Sequence, residues 1–357
     1  MEITTPALVV DLDILDRNIE RMAAAARVGG FALRPHAKTH KCAQIATRQL
    51  AAGAVGLTVA TIGEAEVFAD AGVTALFIAY PLWLDEGKQR RVAKLASGGT
   101  VQVGIDSAEG ARQIVGTGAS VVIEIDSGHH RTGVRPADAG ALALEARALG
   151  LTVDGVFTFP GHGAAHDAQL DATAVRERAA QNQEQALAEA ADSLRAASLT
   201  PTVISGGSTP TAGLRREGVI NELRPGVYVF NDALQVALGS CRLEDVALHA
   251  AATVVSVPAA DRFVLDAGSK VLGADANPWA PGFGLVPAYP GSTVVQISEH
   301  HAVVQLPAGS AAPQHGDQVA IIPNHVCNAV NLANELVIVQ GGQQVDTWAV
   351  AARGANS

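Results

Sequence analysis

The chain has 357 residues, 48% of them apolar and 17% charged, with a formal net charge of −10. Such a chain folds around a sizeable core, with room for one large and one smaller domain. Its acidic balance, without any basic run interleaved with aromatics, argues against a nucleic-acid binder, and no apolar run approaches the roughly 18 residues of a membrane span.

The N-terminal residues lack the basic and apolar regions of a signal peptide. Cys42, Cys241 and Cys327 are odd in number and far apart, so no disulfide framework is expected and a reducing cytoplasm is the default. The opening stretch 7–12 reads as a strand. From residue 31 onward, apolar runs at 31–34, 57–61, 75–79, 100–105, 120–125, 153–159, 202–204 and 223–230 alternate with alanine-rich stretches. Helices are predicted at 39–52, 63–71, 107–115, 136–149 and 172–197. Continuously apolar strands separated by helices imply a parallel sheet buried on both faces. Eight such units in about 200 residues predict a TIM-type (β/α)8 barrel. No Gly-x-Gly-x-x-Gly follows the first strand, which weakens a dinucleotide-binding reading. Beyond residue 240 the runs 246–257, 261–265, 293–297, 301–306, 318–322, 335–339 and 344–350 are β-rich, with no helical stretch between them. The predicted organisation is a barrel over 12–238 and a β domain formed by 1–11 together with 239–357.

Barrel chemistry sits at the C-terminal ends of the strands. Strand one ends in Arg34, His36, Lys38, His40 and Lys41. Neighbouring positive charge favours a neutral lysine amine able to form a Schiff base, although Lys38 alone also fits a solvated basic turn. Strand five ends in Glu124, Asp126, His129, His130 and Arg131; the arginine can face a cofactor ring or pair with Asp126 or Glu124. Strand six leads to His162 and His166. Strand seven ends in Ser205-Gly206-Gly207-Ser208-Thr209-Pro210-Thr211, whose glycines and hydroxyls at a helix start would cradle a phosphate; a capped turn is the plainer reading. An amine, a phosphate cradle and an arginine at three strand ends together describe a pyridoxal-phosphate site.

A second constellation is Asn324-His325-Val326-Cys327-Asn328. Read as a strand, it points His325 and Cys327 to one side, where they could share an open metal site completed by water or substrate. A buried cysteine beside a satisfied histidine is the alternative. Asp266, Lys270, Asp275, Glu299, His300 and His301 are further polar candidates in the same domain.

The segments Thr5-Pro6-Ala7-Leu8-Val9-Val10-Asp11, Arg34 to Lys41, Ala60-Thr61-Ile62-Gly63-Glu64, Ser205 to Thr211, Glu222-Leu223-Arg224-Pro225-Gly226-Val227-Tyr228 and Pro323 to Leu332 occur in one order. In these the chain resembles D-threonine aldolases and eukaryotic-type D-serine dehydratases across nearly its whole length. The resemblance implies a fold-type III pyridoxal-phosphate enzyme, an alanine-racemase-like barrel plus β domain, acting as a homodimer on 3-hydroxy-D-amino acids. By position it implies that Lys38 holds the cofactor, with His36 beside it. It places Arg131 at the pyridine nitrogen, Ser205, Gly206, Gly207, Ser208 and Thr209 at the phosphate, and Tyr228 close by. His325 and Cys327 would bind a divalent metal, Mn, Zn or Mg, beside the substrate.

The metal could ligate the substrate hydroxyl as a Lewis acid. Retro-aldol cleavage would then give glycine and an aldehyde; dehydration would give a 2-oxo acid and ammonia. Cys327 in the metal pair resembles the dehydratases, where aldolases commonly carry Asp. Phe159-Pro160-Gly161-His162 replaces the tyrosine common to both, leaving His162 and His166 as candidate bases for the hydroxyl. This mixture resembles a bacterial branch grouped with the D-threonine aldolases, and aldol cleavage is the primary expectation. A racemase would need a tyrosine from the β domain, where Tyr289 alone stands, and a non-catalytic cofactor carrier would not need the metal pair.

Overall fold

The computed structural model describes residues 3–214 and 218–357. By its contacts the chain divides into two units. One comprises the residues up to Glu20, Thr39–Gln44 and Val227–Arg353; the other comprises Arg21–Lys38, Ile45–Gly226 and Gly354–Ser357.

The chain opens with β1 (Ala7–Asp11) and then lays down β2 (Ala32–Leu33), β3 (Leu57–Val59), β4 (Ala75–Pro81), β5 (Thr100–Ile105), β6 (Ser120–Glu124), β7 (Val153–Phe157), β8 (Val203–Gly206) and β9 (Glu222–Leu223). The last eight form one parallel sheet in the order β2-β9-β8-β7-β6-β5-β4-β3. A parallel bridge from His36 to Thr58, backed by the Thr58 amide on the Pro35 carbonyl at 2.8 Å, joins its two ends into a barrel. The expected (β/α)8 architecture is therefore present. Period-2 alternation explains why these strands are apolar throughout: Val121 and Ile123 of β6 pack outward into the main core, whereas Val122 points inward with Phe77 and Phe157.

Two expectations need correction here. The eighth strand stops at Leu223 instead of running to 230, because Pro225 has no N–H for a ladder and Val227–Val229 is a 3-10 turn. Helices Leu12–Gly29 and Glu86–Gly98 were not predicted. The first buries Leu12, Leu15, Ile19, Ala23 and Ala26 at helical spacing, but in an alanine-rich stretch with little contrast. The second buries only Val92 and Leu95, too few for a periodic signal.

The other unit is built on β10 (Leu248–Ala259), β11 (Arg262–Leu265), β12 (Thr293–Ile297), β13 (Ala302–Gln305), β14 (Gln318–Ile321), β15 (Glu335–Gln340) and β16 (Gln343–Ala349). The opening strand joins this sheet as expected: β1 lies between antiparallel β10 and parallel β15, with Leu8, Val9 and Val10 buried. Short helices Ser269–Leu272 and Val326–Leu332 interrupt the strands, contrary to the all-strand reading. Among the described residues no helix is long and apolar enough to cross a membrane.

Candidate active site

The barrel interior is closed by the Phe77 and Phe157 rings, edge to face with centroids 5.0 Å apart. Gly104 leaves room for them, since a Cβ there would lie 2.8 Å from the Phe157 ring. Arg224 sits against both rings, its guanidinium 5.0 Å from the Phe157 centroid and 5.5 Å from that of Phe77. Burial lowers its pKa to about 10, against the attraction of Glu222 and Glu124, so it is still a cation at neutral pH.

Hydrogen bonds carry this charge around the strand ends. Arg224 Nη1 donates to Ser205 Oγ at 2.5 Å and Nη2 to the Thr158 carbonyl at 2.7 Å. Ser205 Oγ donates to Glu222 Oε1 at 2.6 Å, and Arg34 Nε donates to Glu222 Oε2 at 2.8 Å. Thr158 Oγ1 reaches the Ile125 carbonyl and Ser127 Oγ at 2.6 and 2.8 Å. Neither Arg224 nor Glu222 is among the predicted site residues. The Arg-Pro-Gly motif was visible, but Glu222, two residues before Arg224, meets it only through Ser205 of the neighbouring strand.

Lys38 lies in the 3-10 turn Ala37–Thr39, which follows β2. Its ammonium stands 5.4 Å from the Phe159 ring centroid, and the Arg131 guanidinium stands 5.3 Å from the same ring. Among the described residues neither charged group forms an ion pair or hydrogen bond. The cations adjacent to Lys38 in sequence are engaged elsewhere: Arg34 with Glu222, and Lys41 with Asn331 at 2.7 Å. What surrounds the Lys38 amine is therefore set by the fold and not by the basic cluster.

Arg131 does not pair with Asp126. That carboxylate accepts the Gly128 and His130 amides at 2.9 and 3.0 Å and holds His130 Nδ1 at 2.8 Å. Burial alone would raise Asp126, but these donors and the His130 charge bring it below its usual range. Glu124 is 3% exposed and its Oε2 has no hydrogen-bond partner; burial lifts its pKa despite Arg131 and Arg224. Glu124, Asp126, His129, Arg131 and Phe159 line one small cleft.

His162 lies in the 3-10 turn Gly161–Ala164 beyond β7. Both its ring nitrogens are buried without a partner, and burial, followed by the charge of His129, keeps the ring below its ordinary pKa of 6.5. His129 packs edge-on to Phe159 at 5.5 Å. His166, in contrast, is exposed, next to the Asp167 that pairs with Arg178 at 2.8 Å.

The loop after β8 is a run of hydrogen-bonded turns and starts no helix over 208–214, consistent with Pro210 and Gly213 interrupting it. Gly207 adopts φ +80, which a side chain would strain. Its amide bonds Gln183 Oε1 at 2.9 Å, and the Ser208 amide bonds Thr211 Oγ1 at 3.0 Å. The Ser205 hydroxyl is taken by Glu222 and Arg224, so it belongs to the buried network and not to a phosphate cradle. Gly206 is buried at the end of β8, and Thr209 is half-buried.

In the β-rich unit, His325 and Cys327 do not lie on a strand. His325 caps the helix Val326–Leu332 and Cys327 sits in its first turn. The chain turns helical here because the Val326 amide finds Asp232 Oδ2 at 3.1 Å. The same oxygen is 3.4 Å from His325 Nδ1, so Nε2 is the ring nitrogen a metal would use. The neighbouring Cys327 charge, together with Asp232, raises His325 to about 11 against its burial. An imidazole oriented by a buried carboxylate, two residues from a thiol, suits a soft or borderline divalent cation. Among the described residues no group of three or more His, Cys, Asp or Glu is arranged to hold a metal ion, so the pair would form an open site.

Tyr228 is buried in the turn Val227–Val229. Asp266 has a structural role, bonding Thr5 and the Thr253 amide at 2.7 Å each. Lys270 pairs with Glu299 at 2.9 Å, the His301 carbonyl accepts the Ser298 amide, and Asp275 is held by Asn328. Tyr289 packs against Phe263, with ring centroids 5.2 Å apart.

A barrel with an unpaired lysine and arginine at its mouth, and a separate β-rich unit with a His-x-Cys pair, defines a class of enzyme. Residues 10–233 match the alanine racemase N-terminal domain and 247–339 match a putative serine dehydratase domain. The chain belongs to this family of pyridoxal-phosphate-dependent lyases on the alanine racemase fold. It is 36% identical to a D-threonine aldolase of Arthrobacter sp., over 99% of this chain and 93% of that protein. It is also 36% identical to the D-threo-3-hydroxyaspartate dehydratase of Delftia sp. HT23, over 92% of each chain. The solved structure of that dehydratase superposes with a TM-score of 0.88 over 97% of each chain, at 32% identity. The D-threonine aldolase of Filomicrobium marinum superposes with a TM-score of 0.85 over 99% of this chain and 96% of that one, at 31% identity. The dehydratase has also been solved as a cysteine-to-alanine mutant in the metal-free form and as a histidine-to-alanine mutant, the two changes two residues apart.

Proposed function

We propose that the protein cleaves 3-hydroxy-D-amino acids by a retro-aldol reaction of the D-threonine aldolase type, giving glycine and an aldehyde. Lys38 holds pyridoxal phosphate and His325 and Cys327 hold a divalent metal. The observation that carries this reading is the Lys38 amine, half-buried at the barrel mouth without an ionic partner and sharing the Phe159 ring with an equally unpaired Arg131. The donor set fits the cofactor: an uncommitted amine, a second cation for an anionic group, and a glycine turn at the end of β8 for the phosphate. Bound pyridoxal phosphate supplies an electron sink for the carbanion left when a bond to Cα breaks. A metal at the His-x-Cys pair supplies a Lewis acid for the 3-hydroxyl. The enzyme works as a cytoplasmic homodimer in this reading.

Residues of the chain do the rest. Arg131 balances the charge of cofactor and substrate. Gly207, Ser208 and Thr209 would hold the phosphate, the Gly207 amide leaving Gln183 and the Ser208 amide leaving Thr211 to do so. His162 takes the hydroxyl proton: its unpartnered nitrogens and lowered pKa make it a neutral imidazole, ready to accept one. His166, exposed beside the Asp167–Arg178 pair, is the weaker candidate.

Because the folded-state pKa of His162 is depressed, the unfolded chain binds its proton more tightly. The stabilising contribution is then full above pH 6.5 and is lost as pH falls below that value. His162→Asn should remove that acid-side loss of stability and lower kcat on the order of 10²-fold. Urea midpoints from pH 5 to 8 and initial rates check both; an unchanged kcat would leave His162 without the role.

The dehydratase reading is favoured by one feature, the cysteine in the metal pair, matching the mutated pair of the Delftia enzyme. Incubation with D-threonine, D-serine and 3-hydroxy-D-aspartate separates the two. Glycine with an aldehyde supports aldol cleavage, and a 2-oxo acid with ammonia supports dehydration. Loss of optical activity alone would make the protein a racemase.

A further inference from the structure

We propose that Thr39 is a positioning residue for the metal pair: its hydroxyl holds the Cys327 sulfur and links metal occupancy to the residue peptide-bonded to Lys38. The inference rests on the metal reading above. Cys327 Sγ donates to Thr39 Oγ1 at 3.3 Å, and Thr39 is fully buried, so its hydroxyl is held for the half-exposed sulfur without competition from water. One helical turn further along Val326–Leu332, Asn331 Oδ1 accepts from Lys41 Nζ at 2.7 Å. The Lys41 carbonyl accepts the Ala352 amide at 3.1 Å. Lys41 adopts φ +50, a conformation that a residue with a Cβ keeps only when its surroundings hold it. Between these contacts His40 Nδ1 accepts the Cys42 amide at 3.1 Å. The helix that carries Cys327 therefore grips residues 39 and 41.

A hydroxyl suits this place because it can both donate and accept. When the thiol is protonated, the sulfur donates to Thr39. A cysteine bound to a metal has given its proton to solvent, and the Thr39 O–H then turns to donate to the sulfur. Such outer partners of a ligand commonly govern metal affinity by about 10–100-fold. Valine keeps the shape of threonine and can make neither bond, while serine can make both.

The test uses cofactor-loaded enzyme stripped of metal with a chelator and titrated with Co²⁺. Two signals are followed: the sulfur-to-cobalt charge-transfer absorbance and the visible absorbance of the bound cofactor. Thr39→Val and Thr39→Ala are expected to bind Co²⁺ at least roughly tenfold more weakly than wild type, and their cofactor absorbance should respond less to the metal. Thr39→Ser should restore both signals, which a purely structural loss would not predict. Affinity within about twofold of wild type in both Thr39→Val and Thr39→Ala, with an unchanged cofactor response, overturns the proposal. If the wild type shows no charge-transfer signal, or Cys327→Ala retains it, the metal reading fails and takes this inference with it.

Discussion

Replacing Lys38 by alanine is expected to give a protein that no longer retains visible-absorbing pyridoxal phosphate and turns over no 3-hydroxy-D-amino acid. The amine is held at the barrel mouth by a turn that begins as β2 ends, and among the described residues it shares the Phe159 ring with the Arg131 guanidinium. A positioned acid or base alone is worth about 10²–10⁴-fold in rate, and in the proposed role Lys38 would also tether the cofactor, so the fall in kcat/KM should be on the order of 10⁴-fold. The fold should survive, since the amine supports no hydrogen bond or ion pair. Absorbance of the purified protein, circular dichroism and product assays measure these three outcomes. A coloured Lys38→Ala protein with near-normal turnover would remove the basis of the proposed function.

The second large effect is on stability. Arg224→Met is expected to lower the unfolding free energy by about 3–5 kcal/mol, the usual consequence of removing one partner from a buried charged network. Without the guanidinium, the Thr158 carbonyl loses a charged donor and Ser205 loses its partner on the far side from Glu222. Among the described residues Glu222 then keeps Arg34 as its paired cation in a buried setting. Arg224→Lys should recover little, because an ammonium cannot reach Ser205 and the Thr158 carbonyl as a planar fork does. Equilibrium urea unfolding of the three proteins gives the numbers. A change below about 1 kcal/mol, the scale of an exposed ion pair, would mean the network is not closed as described.

Much of this architecture could be read from the chain before any coordinates. The eight barrel strands and the β-rich second unit follow from apolar runs and turn residues, because strand formation here is dictated by local pattern and burial on both faces. The Lys38 segment, the loop at Gly206 and Gly207, and the His-x-Cys pair stand out as candidates from residue type and order alone. Two helices escaped notice because alanine supplies burial without the hydrophobic contrast on which periodicity depends. The eighth strand was drawn too long because apolar Val227–Val229 looks like a strand, although Pro225 had already ended the ladder.

What chemistry each polar residue could do was open to sequence; which partner it meets was not. Ser205 reads as a phosphate ligand in its glycine loop, but tertiary structure gives its hydroxyl to Glu222 and Arg224. Arg131 follows Glu124 and Asp126 closely in sequence and forms an ion pair with neither, Asp126 being used by its own loop. His325 and Cys327 lie not on the expected strand but at a helix start held by Asp232 from almost a hundred residues away. Sequence by itself determined the kinds of element, their order and the stock of reactive groups, since these depend on local backbone preference and side-chain chemistry. Only the tertiary structure decided which of those groups are buried, which are already spoken for and which, like Lys38, are left without a partner. Hydrogen bonds and ion pairs are short-ranged, and the fold alone brings distant strands within their reach.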